Sequence, residues 1–153
     1  MTTSIIAYDF NGVMDIKNSH EVRDESISFR VRKQVNLENA KALLSLAIET
    51  NTPLVCISML EQYTSVTRQL LAALLHSDVT EYVEFAKTNK MALRQLIKRS
   101  PFPGKKQEVI NALNEDGYKM IALEDEVVLN NCEFFMIQNR DILSRMDEIK
   151  SKL

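Results

Sequence analysis

Glycine and proline are scarce in this chain. Its 153 residues include three of each, which leaves little material for long irregular loops and favours regular structure. Cysteine is scarcer still. Cys56 and Cys132 are the two present, they form no Cys-x-x-Cys pair, and both stand in apolar or helical contexts. Neither a disulfide framework nor a zinc site is expected; free buried thiols in a reducing compartment are. An excess of positive charge is also missing. The formal net charge of −2 argues against a general binder of nucleic acid or anionic membrane, which needs a basic surface to displace counterions. A local basic patch remains compatible with it. No apolar run is long enough to cross a bilayer. The run Ile5-Ile6-Ala7-Tyr8 is too short for a signal peptide and lacks a basic flank, so a cytoplasmic protein is expected.

What is present is ordinary for a globular chain. Hydrophobic residues make up 45% and charged residues 26%, and the length suits one domain over 1–153 with a real core. Ile5 to Tyr8 reads as a buried strand that stops at Asp9-Phe10-Asn11-Gly12. Ser26 to Val35 alternates Ile27, Phe29 and Val31 with Ser28, Arg30 and Arg32. Period two predicts a half-exposed strand, one arm of a hairpin within 14–35. Asn36 is the candidate cap of a helix with Leu37, Ala40, Leu43, Leu44 and Ala47 on one face. Leu54 to Ile57 is a second buried strand ending at Ser58. A helix follows over 62–75.

The stretch 82–86 reads equally as a third strand or as the end of a short helix capped by Asp78. Thr88 is the candidate cap of a helix to Lys98. The segment 100–104 is a loop. A helix over 105–115 turns Val109, Ile110 and Leu113 inward, with Gly117 just past its end. A strand over 119–123 runs into Glu124-Asp125-Glu126. A short helix over 127–131, a strand over 133–137 and a final helix over 140–152 complete the pattern. Alternating strands and helices predict an α/β domain: a three-layer, Rossmann-like parallel sheet with helices on both faces. No internal repeat or low-complexity tract is present.

Ligands of open parallel sheets bind just beyond the carboxyl ends of the strands. Those ends carry Asp9 and Asn11, then Ser58, then Glu124, Asp125 and Glu126, while Lys105 and Lys106 open the helix before the last of these strands. Acids, a hydroxyl and a lysine on one sheet edge suit a phosphate and a hard metal. Carboxylates hold Mg²⁺ through oxygen, an aspartate can attack phosphorus, and serine and lysine can hold phosphoryl oxygens. Gly12 permits a tight turn and close approach of backbone to a ligand. His20 and His76 have no evident partner. The basic residues Arg23, Arg30, Arg32 and Lys33 read as a solvated hairpin face.

The segment Tyr8-Asp9-Phe10-Asn11-Gly12-Val13-Met14-Asp15 resembles the first motif of the haloacid dehalogenase superfamily, Asp-x-Asp-Gly-Thr/Val. Ser58 resembles the second motif, Lys105 or Lys106 the third, and Leu123-Glu124-Asp125 the fourth, in the family's order across nearly the whole chain. The resemblance implies an HAD-like fold and a Mg²⁺-dependent phosphatase. It makes Asp9 the nucleophile and gives Ser58 and a lysine the phosphoryl group to orient. Lys106 is preferred over Lys105 because Val109 and Ile110 then follow at three and four residues. Metal ligation would fall to Asp9, the Asn11 main-chain carbonyl, and Glu124 or Asp125.

Two departures shape the functional expectation. Asn11 replaces the family's second aspartate, the general acid and base, and an amide cannot exchange a proton near neutral pH; such catalysis is worth about 10²–10⁴-fold. The family's lid domain is also missing, because only a short segment, 14–35, follows the first motif. An open site suits a phosphorylated nucleotide, a nucleic-acid end or another macromolecule, although net charge gives no support for nucleic acid. The expectation is a slow or specialised phosphatase. A catalytically degenerate binding or regulatory module is the alternative. A receiver-like domain is weaker, since its phosphoacceptor aspartate ends a later strand.

Overall fold

The computed structural model describes residues 3–16 and 26–153. Five strands form one sheet: β1 (Ser4–Tyr8), β2 (Leu54–Cys56), β3 (Ile97–Lys98), β4 (Lys119–Glu124) and β5 (Glu133–Met136). Their spatial order is β3-β2-β1-β4-β5, and every neighbouring pair is parallel. The chain moves outward from β1 through β2 to β3, then returns to the other side of β1 to lay down β4. The reversal makes the carboxyl edge between β1 and β4 the topological switch point, where open α/β sheets hold their ligands.

Burial on both faces explains the strand sequences. Along β1, Ile5 and Ala7 pack with Val109, Ile110 and Leu113 of helix α5 (Lys106–Glu115). Ile6 and Tyr8 point the other way, into a larger core with Leu43 of α2 (Leu37–Thr50), Leu70 of α3 (Val66–Leu75) and Leu93 of α4 (Thr80–Leu96). Alternate residues therefore serve opposite layers, and a strand apolar at every position is the result. Helices cover both faces of the sheet, as the alternation of strands and helices predicts. Tyr8 also reaches across its layer: its hydroxyl lies 2.7 Å from Thr67 Oγ1 of α3. Ser65 caps α3 and Asn36 caps α2, each accepting a bond from a backbone N–H three residues on.

Several segments differ from the sequence expectation. Residues 27–33 are a helix, α1 (Ile27–Lys33), and not a strand. Ser26 accepts from the Phe29 N–H as its cap, and Ile27 and Val31 are spaced to share one helical face, with Val31 buried. Over five residues this spacing fits period two as well as it fits a helix. The expected hairpin within 14–35 is thus half helix. Its described pairing is a single antiparallel bridge between Asp15 and Val35, and 17–25, with His20 and Arg23, lie outside the described residues.

Residues 82–86 and Thr88 both lie inside α4, one continuous helix of 17 residues. Thr88 caps nothing, and Ile97–Lys98 leave the helix to form β3. Residues 127–131 form no helix. Buried Leu129 anchors them, and Gln107 exchanges hydrogen bonds with both backbone groups of Asn130. The final helix is shorter than expected. Arg140 has a left-handed φ of 58°, so a 3₁₀ turn (Leu143–Arg145) and α6 (Met146–Ser151) begin only after it. Among the described residues, no helix is long and apolar enough to cross a membrane. Both cysteines are free thiols.

Candidate active site at the sheet switch point

Sheet register brings the acids together. Tyr8 pairs with Leu123, so Asp9 follows at the level of Glu124, and the Asp9 N–H donates to the Leu123 carbonyl at 3.0 Å. On the other side Tyr8 pairs with Cys56, which sets Ser58 two residues beyond that level. Asp9, Ser58 and Glu124 are all buried. One cleft of about 300 Å³ is lined by Asp9, Asn11, Ser58, Gly104, Lys106, Asp125 and others.

Lys106 sits at the start of α5 and bridges two of the acids. Its Nζ lies 3.2 Å from Asp9 Oδ2 and 2.5 Å from Glu124 Oε2. Lys105 points elsewhere; it is exposed and 3.9 Å from Glu108. Of the two lysines, it is Lys106, three and four residues before Val109 and Ile110, that faces the cleft. Ser58 has two roles, lining the cleft and accepting from the Leu60 N–H as cap of the short turn Met59–Gln62.

The carboxylates are distinguishable by their partners. Glu124 Oε1 accepts from the N–H groups of Asp125 and Glu126 at 2.8 and 3.2 Å, and its Oε2 is held by Lys106. Burial works against its charge, but Lys106 and these backbone donors win and hold its carboxyl below the usual range. Asp9 has less help. Burial, then the nearby Glu124 charge, push its carboxyl up to about 7 despite Lys106. Asp125 is raised to about 6 by burial and by Glu124. Lys106 is raised above its ordinary value: burial opposes its charge, and Glu124 and Asp9 outweigh burial.

The site therefore holds more negative charge than one lysine can balance. One oxygen from each of Asp9, Glu124 and Asp125 lies within 4.8 Å of the others. Hard carboxylate oxygens in that grouping suit a divalent cation such as Mg²⁺. Glu124 is the most fully engaged, by Lys106 and two backbone N–H groups, whereas Asp9 accepts from the Phe10 N–H at 2.9 Å and from Lys106 at 3.2 Å. Asp9 and Asp125 are the less compensated of the three, and Glu124 anchors Lys106.

Three further residues build the site without having stood out in the sequence. Asp15 is buried; its Oδ1 accepts from the Gly12 N–H at 2.8 Å and from Arg140 Nε at 2.8 Å. Buried Asn39, on α2, donates to the Val13 carbonyl at 2.9 Å and to the Arg140 carbonyl at 2.8 Å. The turn after β1 is thereby tied to the loop after β5. Asp15 falls within the motif-like segment, which is a signal of sorts; Asn39 and Arg140 carry none, because their partners are remote in sequence. In comparisons with known proteins, no family model, no curated protein and no solved structure gives a significant match.

Proposed function

We propose that the chain is a Mg²⁺-dependent phosphoryl-transfer hydrolase of the haloacid dehalogenase type, a phosphatase with Asp9 as nucleophile. The observation that carries this reading is Lys106, bridging Asp9 and Glu124 in a cleft that Ser58 and Asp125 also line. A nucleophile, a phosphoryl-holding cation and hydroxyl, and a carboxylate grouping thus meet at the switch point.

In this reading Asp9 attacks phosphorus, the bond to the leaving oxygen breaks, and an aspartyl phosphate forms. Water then cleaves the acyl phosphate, regenerating Asp9 and releasing phosphate. Lys106 and Ser58 steady the phosphoryl oxygens. Mg²⁺ would be held by Asp9 and Asp125, with the Asn11 carbonyl and Glu124 as the remaining expected ligands, and would neutralise phosphoryl charge. Asn11 lines the same cleft. Its amide can orient the leaving oxygen but cannot protonate it, so solvent must supply that proton and turnover is slow. A phosphorylated nucleotide, nucleic-acid end or other macromolecule suits so open a cleft.

The test incubates the protein with Mg²⁺ and a panel of phosphoesters and follows free phosphate and acyl phosphate on Asp9. Neither product from any ester would overturn the reading. Asn11 also favours a second one, a binding module that has lost catalysis. That module would keep phosphate or Mg²⁺ binding, seen as a rise in melting temperature, and form no acyl phosphate.

A further inference from the structure

The catalytic cleft does not end at Asn11. A second cleft of about 560 Å³ shares Asn11, Asp125 and Glu126 with it and continues to Gln138, Asn139 and Arg140 in the loop after β5. Arg140 is fixed there by three constraints. Its Nε is bonded to buried Asp15, its carbonyl accepts from buried Asn39, and its φ of 58° follows a φ of 53° at Asn139. Two successive non-glycine residues in the left-handed region are strained, and such strain persists where the surroundings over-determine it. The Nη groups of Arg140 have no hydrogen-bond partner among the described residues. A guanidinium anchored at one edge thus presents its other edge to the wall of a cleft that opens into the Asp9 site.

The chemistry of the wall selects a ligand class. Guanidinium and amide N–H groups donate; the Glu126 carboxylate and the amide oxygens of Gln138 and Asn139 accept. A second anion on the substrate would meet Glu126 as well as Arg140, whose charge Asp15 already balances, and would gain no net attraction. An apolar group would leave donors and acceptors unmatched. A hydroxyl both donates and accepts, and satisfies both kinds of wall at once.

We infer that this second cleft is the leaving-group subsite and that it takes a hydroxyl-rich, uncharged moiety, the sugar or polyol half of a phosphate monoester. The inference rests on the phosphoryl-transfer reading above and names its substrate class. Arg140 and Gln138 are then specificity-determining residues: they contact the leaving group and not the phosphorus.

The test compares ribose 5-phosphate with propyl phosphate, which share the phosphoryl group and differ in hydroxyls. With Mg²⁺, kcat/KM for the sugar ester should exceed that for the alkyl ester by about ten-fold or more, the scale of one hydrogen bond to a charged group. Gln138→Ala and Arg140→Lys should each shrink that ratio several-fold. In the ¹⁵N-labelled chain, ribose 5-phosphate should shift the amides of Ile137 to Arg140, and inorganic phosphate should not. Equal kcat/KM for the two esters, or no such shifts, sinks the subsite while the phosphoryl reading stands. No phosphate release, with no response of the Asp9 and Ser58 amides to any phosphate compound, sinks both.

Discussion

Gly12 and Asp125 are packed so closely that a β-carbon on Gly12 would lie 1.9 Å from Asp125 Oδ2. The two residues come from different strand ends, and the missing side chain of one is the space occupied by the carboxylate of the other. Gly12 also has a φ of 81°, a region that side-chain-bearing residues adopt at a cost. Gly12→Ala should therefore lose about 1–3 kcal/mol of stability, read by urea denaturation. It should also displace Asp125 and weaken Mg²⁺ binding by at least several-fold, read by calorimetric titration. Unchanged Mg²⁺ affinity would show that Asp125 is not a ligand.

Asp9 makes stability depend on pH in a stated direction. Its folded pKa is about 7, against roughly 3.9 for an unperturbed aspartate. Between those values the folded chain holds a proton that the unfolded chain has released, so this group costs stability as pH rises, and the full cost is reached above about 7. Asp9→Asn removes the cost. In metal-free buffer the variant should gain on the order of 2–4 kcal/mol over the parent at pH 8 and little at pH 4. A gain independent of pH would contradict the assignment.

Restoring an acid beside the nucleophile should restore proton transfer. Asn11 is exposed in the cleft lined by Asp9, so Asn11→Asp introduces a carboxyl without burying it. Turnover of a phosphoester should rise by about 10–100-fold, below the upper range for general acid–base catalysis, because the new group has no tuned environment. The rise should follow kcat and bring a new ionisation into its pH profile. A rate no higher than the parent's would assign the slow step elsewhere.

Buried Glu61, three residues after Ser58, is ion-paired with Arg99. Glu61 is 1% exposed, its Oε1 accepts from the Val66 N–H at 2.7 Å, and its Oε2 lies 2.9 Å from Arg99 Nε. That second contact is an ion pair whose N–H is poorly aligned for a hydrogen bond. Burial raises the Glu61 carboxyl even so, ahead of the lowering by the Val66 N–H and by Arg99. Arg99→Ala should cost about 1–3 kcal/mol at neutral pH, since it leaves a buried carboxylate without its cation. The loss should shrink as pH falls and Glu61 protonates, and thermal melts at pH 5 and pH 7.5 measure it. Equal losses at both would assign the Arg99 effect to packing and to its Nη2 bond to the Glu61 carbonyl at 2.7 Å, and not to the carboxylate.

Local signals carried much of the site. The apolar run before Asp9, the one before Glu124 and the helical phase of Lys106 each follow from a few adjacent residues, and Lys106 joins the two acids. Where a short segment satisfied two periods, the sequence could not choose. Residues 27–33 became a helix because Ser26 caps them and Val31 finds the core. Thr88 resembled a cap, yet packing carried α4 straight through it.

Alternation of buried strands with amphipathic segments was enough to determine a layered α/β domain with acids at one sheet edge, because burial on two faces dictates which residues can follow one another. Strand order, and hence the placement of Asp9 beside Glu124, was decided by the tertiary structure, since no local pattern says which side of β1 receives β4. Folding also decided the division of labour among the acids: Lys106 and two backbone donors claim Glu124, which leaves Asp9 and Asp125 as the less compensated pair. The tie from Asn39 and Asp15 to Arg140 spans about a hundred residues or more of chain. Only the packed fold could bring them within hydrogen-bonding distance.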